Sequence, residues 1–322
     1  MRNWFRPTLI CAAVLTAASA AAYAAPSPTQ VALTTGSDPQ TAALGFVQSY
    51  PAATEKLQQI ARWSDAICVE VSGLSADKAK VVQARVEEVA QAVGVKAQPA
   101  GCRHNIEIVF TTKPQAFLDD IAAHQEVLLG YDHVHAKTVK TVTHPIQAWY
   151  KTATRARGDM GALFAADLKD RDGNRVNPSD FFPSTGSFET VDTPENPGPV
   201  GCAGSLITDC TRTLFKNVLV VVDSRAAAGK TLGTLADYVA MMALSQAKSL
   251  DGCAALPSVM DLMAKAPCPG RDPPNGLTDT DIAFLTGLYF SDPETKAVQQ
   301  QVEIAARMTR LLIKAGATTA SK

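Results

Sequence analysis

The side chains best suited to acid–base or metal chemistry in this 322-residue chain are its five histidines, His104, His124, His133, His135 and His144. Three of them fall in the segment YDHVHAKTVKTVTHP. In an extended backbone His133 and His135 share a face. Together with His144 they would offer three neutral imidazoles to an open zinc site whose fourth place takes a water. The competing reading is a surface loop rich in His and Lys, the commoner origin of such clusters. His133, His135 and His144 are therefore the only metal candidates, and no catalytic or cofactor-binding residue is assigned.

Other spacings have plainer explanations. Ser224 to Thr231, SRAAAGKT, matches the phosphate-loop pattern GxxxxGK[ST] except that a serine replaces the first glycine. That loop needs a flexible backbone to cradle phosphate and a later acidic strand for magnesium, and neither is evident, so a strand-to-helix turn is expected. Asp170, Asp172 and Asn174 resemble half of a calcium loop, but Arg175 stands where the glycine belongs and Phe181 where the glutamate belongs. Ser75 and Lys78 have the spacing of an acylase pair, which a serine N-cap explains. Asp237 is read as the capping-box partner of Thr234.

The elements that would position such residues begin after a leader. Arg2 and Arg6, the apolar run Leu9 to Leu15, and Ala22-Tyr23-Ala24 have the three-part layout of a secretory signal peptide, residues 1–24. Cys11 lacks the small neighbour of a lipid-anchor signal. The leader carries two arginines and no acid, so the 30 basic and 31 acidic side chains become 28 and 31, a charge of −3 that steers towards no nucleic acid. No later stretch reaches the ~18 apolar residues of a membrane span. The expected location is periplasmic or extracellular. Six cysteines remain, and export with an even count argues for disulfides. Fifteen pairings are possible. Sequence order suggests Cys68 with Cys102, Cys202 with Cys210, and Cys253 with Cys268.

Residues 25–62 read as a tether followed by short helices over Asp38 to Ser49 and Thr54 to Trp63. Residues 63–322 read as one domain. A strand at Ala66 to Val71, a helix from Ser75 to about Ala92 with Val81, Val82, Val86 and Val89 apolar, and a strand at Asn105 to Phe110 make a parallel unit. Lys113 to Leu129 looks helical, and Val139 to Tyr150 extended or hairpin-like. Residues 154–211, rich in Gly, Pro, Asp and Asn, read as a long surface insertion. Asn217 to Val222 is the clearest buried strand. It feeds a central helix, apolar nearly all round, that starts at Thr234 and carries Leu235, Tyr238, Val239, Met241 and Met242. Thr278 and Asp281 form a capping box for another helix, and Asp292-Pro293 opens a last one with Val298, Val302, Ala305, Met308 and Leu312 inward.

This order, with the turn Pro257-Ser258-Val259-Met260 and the helix start at Leu277, Thr278, Asp281, Leu285, Leu288 and Tyr289, resembles the matrixin-type metzincin zinc peptidases. The chain is also similar to uncharacterised exported proteobacterial proteins, including the QQIARWSDAICVEVSG stretch that leads into the first strand. The resemblance spans roughly Trp63 to Phe290. It implies an α+β fold: a metallopeptidase-like mixed sheet, a buried central helix above a methionine turn, and C-terminal helices. In that family three histidines of HExxHxxGxxH bind zinc, and the central helix here has neither histidine nor glutamate, so zinc catalysis at that place is not implied. The expectation is a non-catalytic protein that binds a protein or peptide ligand or serves a structural role. The rival is a hydrolase built on His133, His135 and His144.

Overall fold

A computed structural model describes residues 38–55, 57–124, 129, 139–156 and 211–320. Four strands form one mixed sheet in the order β1-β2-β4-β3: β1 Val69–Ser72, β2 Ile106–Thr111, β3 Ile146–Ala156 and β4 Thr211–Asp223. β1, β2 and β4 run parallel, and β3 runs antiparallel to β4 as an edge. With the helices described below, the class is α+β. No helix among the described residues is long and apolar enough to cross a membrane.

The first parallel unit forms for the reason its pattern suggests. Helix α2, Ala76–Ala92, buries Val82, Val86, Val89 and Ala90, one stripe at helical spacing, while Val81 is only half-buried. β2 alternates buried and half-buried side chains along IEIVFT. Cys68 and Cys102 are disulfide-bonded just ahead of β1 and β2, and Cys253 is bonded to Cys268. Cys202 and Cys210 lie outside the described residues. Gly73 follows β1 with φ +80°, and a Cβ there would lie 1.8 Å from the Phe110 carbonyl oxygen, so only glycine fits.

Helix α3, Pro114–His124, covers one sheet face through Leu118 and Ile121, which join Trp149, Leu219 and Val221 in a small cluster. The opposite face carries the main core around α4, Leu232–Leu244, with α5, Asp279–Phe290, and α6, Ala297–Ala320, beyond it. Helix α1, Pro39–Ser49, belongs to the same core through Ala43, Phe46 and Val47, so the chain before residue 63 supplies core residues as well as the approach to the domain. Phe46, Tyr50 and Phe284 pack edge-on and stacked at 5.2–5.6 Å between ring centroids.

Four expectations need correction. The stretch Thr54 to Trp63 is not a helix. Residues 59–63 are buried at every position, which suits an extended segment covered on both sides, and Arg62 bridges Leu214 of β4 in parallel register. β3 starts at Ile146 and runs on to Ala156, into the residues read as the start of the insertion; residues 157–210 are outside the described set. The last helix starts at Ala297, five residues after Asp292. It turns Ile304, Ala305, Met308 and Leu312 inward, and leaves Val298 74% and Val302 50% exposed. The inward stripe instead includes Gln300, whose side chain accepts from Ile60 N–H, a polar anchor that an apolar pattern search passes over.

Candidate functional site

The place where the resemblance would put a metal is the central helix. α4 begins one turn earlier than the pattern implied: Thr231 is the N-cap and accepts from Thr234 N–H at 3.1 Å. Asp237 is therefore no capping partner. It is fully buried, accepts from Arg85 Nε at 2.5 Å and from Leu277 N–H at 3.0 Å, and ties α2 and the approach to α5 onto α4. Partial burial opposes the Arg85 charge, but the bonds to Asp237 and Glu88 outweigh it and raise the guanidinium above its ordinary value.

The C-terminal end of α4 is buried, so its last carbonyls need donors other than water. Trp63 Nε1 donates to Ala243 O at 2.8 Å, Tyr289 OH to Leu244 O at 2.7 Å, and Tyr150 OH to Met242 O at 2.8 Å. Ser245 Oγ donates back to Met241 O, and the Tyr50 hydroxyl lies 3.2 Å from that Oγ. Aromatic side chains from the 59–63 segment, β3, α5 and the end of α1 thus converge on one helix terminus. Burial raises the hydroxyl pKa of Tyr50, Tyr150, Tyr238 and Tyr289, so all four stay protonated. Tyr238 OH is buried without a hydrogen-bond partner among the described residues.

Beneath the helix, Pro257–Met260 and α5 are locked together by Asp281. Its carboxylate accepts from Ser258 Oγ at 2.5 Å, Val259 N–H at 2.9 Å and Thr278 N–H at 2.8 Å, completing the capping box at Thr278. Burial outweighs these bonds and lifts its pKa to about 6. Ser258 caps the 3₁₀ turn Val259–Met263 with Asp261 in a second capping box.

These residues do not fit a zinc ion. Thr234 to Leu244 are all buried, and the one carboxylate among them already pairs with a guanidinium. Tyr238, Met241 and Met242 supply no thiolate, imidazole or free carboxylate, the groups that hold zinc. The close grouping of Cys253, Asp261 and Cys268 does not fit one either, because both sulfurs are joined in a disulfide and Asp261 pairs with Arg271 at 2.9 Å.

Among the described residues, His104, His124 and His144 each stand beside a different carboxylate. His133 and His135 lie outside the described residues. His144 Nε2 is 2.7 Å from Asp251 Oδ1, and its Nδ1 is 2.8 Å from Thr143 Oγ1, so both ring nitrogens have partners. Lys265 shares the same Asp251 oxygen at 2.6 Å. His104 is near Glu107 and His124 near Asp120 on the surface.

Five amides of the phosphate-loop look-alike are engaged. Ser224 N–H donates to Thr111 O, Arg225 N–H to Asp223 Oδ1, and Ala227, Ala228 and Lys230 N–H to carbonyls within the turn. A cradle for phosphate needs those N–H groups free. Ser75 caps α2 without a side-chain bond.

Among the described residues, a further surface with recognisable chemistry is the outer ribbon of β3 and β4. β3 has no strand on its outer edge among the described residues, and 11 residues of backbone run along that edge. Its far end is basic. Arg155 lies directly opposite Arg212, and Lys151 opposite Asn217, with Lys216 left between pairs by a bulge. Asp65 bridges Arg155 at 3.2 Å and Lys216 at 2.8 Å. Compared with known proteins, the chain matches no family model, no curated protein and no solved structure.

Proposed function

We propose that this is an exported, non-catalytic protein on a metzincin-like scaffold, which binds an extended polypeptide along the open edge of β3. The reading is supported by an antiparallel edge strand beside three parallel ones, by the helix that follows β4, and by a methionine turn beneath it. The observation that carries the loss of catalysis is the burial of α4 from Thr234 to Leu244 with its single acid paired to Arg85. The observation that favours a peptide is that no strand borders the outer edge of β3 among the described residues, since an edge with unpaired N–H and C=O groups accepts another strand without any specialised pocket.

Metal analysis of the purified protein tests the first part. After dialysis it should hold less than about a tenth of an equivalent of zinc, against the full equivalent of a structural or catalytic site. It should leave unfolded casein uncut. Near-stoichiometric zinc that is lost when His133 and His135 are both changed to alanine would transfer the function to the rival histidine site.

A further inference from the structure

Four cations crowd the far end of the β3–β4 ribbon: Lys151, Arg155, Arg212 and Lys216. Among the described residues, Asp65 is the one carboxylate paired with them. Like charges directly opposite each other, as at Arg155 and Arg212, disfavour the pairing of two strands. The buried Nε of Arg212 also has no hydrogen-bond partner among the described residues. The chain as a whole is slightly negative, so this is a local concentration of positive charge.

Register decides what could neutralise it. Side chains alternate along a strand, so Trp149, Lys151, Ala153 and Arg155 project from one face of β3. Trp149 fixes which face, because it packs in the α3 cluster with Leu219, its partner across the strands. A strand added to the outer edge would place three of its own side chains, at positions i, i+2 and i+4, opposite Lys151, Ala153 and Arg155, roughly 5 Å away. Acidic groups at i and i+4 meet the two cations, and a small residue at i+2 meets Ala153.

Resting on the peptide-binding reading above, we infer that the ligand is an acidic, extended peptide segment with carboxylates four residues apart, seated against Lys151 and Arg155 on the β3 edge. Arg155 exchanges a half-exposed contact with Asp65 for the ligand. Such exchange is cheap, because exposed ion pairs contribute at most about 1 kcal/mol.

The test uses the full exported chain and two acetylated, amidated heptapeptides, Thr-Glu-Thr-Ala-Thr-Glu-Thr and the same peptide with both glutamates replaced by lysine, titrated by calorimetry. The acidic peptide should bind at least about tenfold more tightly, and the preference should shrink as salt shortens the Debye length. The doubly reversed variant K151E/R155E should prefer the lysine peptide, a swap that an unfolded variant cannot produce; its circular dichroism is measured alongside. Equal binding of both peptides overturns the acidic preference and leaves the edge-strand reading standing. Binding of neither peptide overturns both. Tighter binding of a thymidine oligonucleotide than of the acidic peptide also overturns the inference, since the patch would then serve a polyanion.

Discussion

Asp237 and Asp65 each accept hydrogen bonds from cationic side chains, Asp237 from Arg85 on the buried helix and Asp65 from Arg155 and Lys216 on the open ribbon. Asp237 is 0% exposed and Arg85 14%, whereas Asp65 is 45% exposed and its partners 31% and 35%. Water and salt therefore compete for Asp65 and not for Asp237. The same pair of groups serves as a structural tie in one region and as an exchangeable contact in the other. Local solvent access sets that difference.

The comparison breaks first at Asp237. D237A takes the acceptor from the Nε of a mostly buried guanidinium and from the Leu277 N–H, leaving Arg85 only its half-exposed Glu88 partner, which should cost about 3–5 kcal/mol of unfolding free energy. Urea denaturation is the measurement. A loss below about 1 kcal/mol would mean that Arg85 reaches water freely and the contrast is false.

A second, smaller effect concerns pH. The folded pKa of Asp281, about 6, lies above that of an unfolded aspartate. The folded state thus holds the proton more tightly. Its stabilising contribution is complete below the unfolded value, is lost as pH rises towards 6, and is gone above it. With 1.36 kcal/mol for each pH unit between the two values, the change is up to about 3 kcal/mol. The stability difference between wild type and D281N should move in that direction between pH 4 and 6.5. Movement the opposite way would show that the bonds from Ser258, Val259 and Thr278 dominate burial. Smaller again is Y289F, which removes the donor to Leu244 O and should cost about 1–3 kcal/mol by leaving a buried carbonyl unpaired.

The parts of the structure legible in the sequence were those written in local spacing. The capping box at Thr278 and Asp281, the α2 stripe, the buried NVLVVV strand, the parallel β1-β2 pairing and two of the disulfides need no distant partner to be recognised. Misreadings arose where a distant partner decides. Thr234 and Asp237 have capping-box spacing, but Asp237 is claimed by Arg85, 152 residues away. Trp63 and Tyr150 cap α4 from 180 and 92 residues upstream. Residues 59–63 carry a weak helical pattern, yet all five are buried and tied to distant elements, Arg62 to Leu214 of β4 and Leu288 of α5, Trp63 to Ala243 of α4, and Ile60 N–H to Gln300 of α6. The basic ribbon was missed for a related reason: Lys151, Arg155, Arg212 and Lys216 converge only after β3 and β4 pair across the intervening chain.

The smallest expected effect completes the comparison and is the most telling about function. Partial burial raises the Asp65 carboxyl, but the bonds and charges of Lys216 and Arg155 outweigh it and hold it below the ordinary value, so it is ionised at neutral pH. D65A removes this exposed acceptor, and the cations left behind are solvated by water already in contact with them. The cost should be at most about 1 kcal/mol and should fall further in high salt. The same variant removes the competitor for Arg155 and Lys216, so the acidic heptapeptide should bind more tightly than to wild type while the lysine heptapeptide binds more weakly. A destabilisation by D65A as large as that of D237A, with peptide binding unchanged, would make Asp65 a structural tie like Asp237 and remove the reason for assigning recognition to the ribbon.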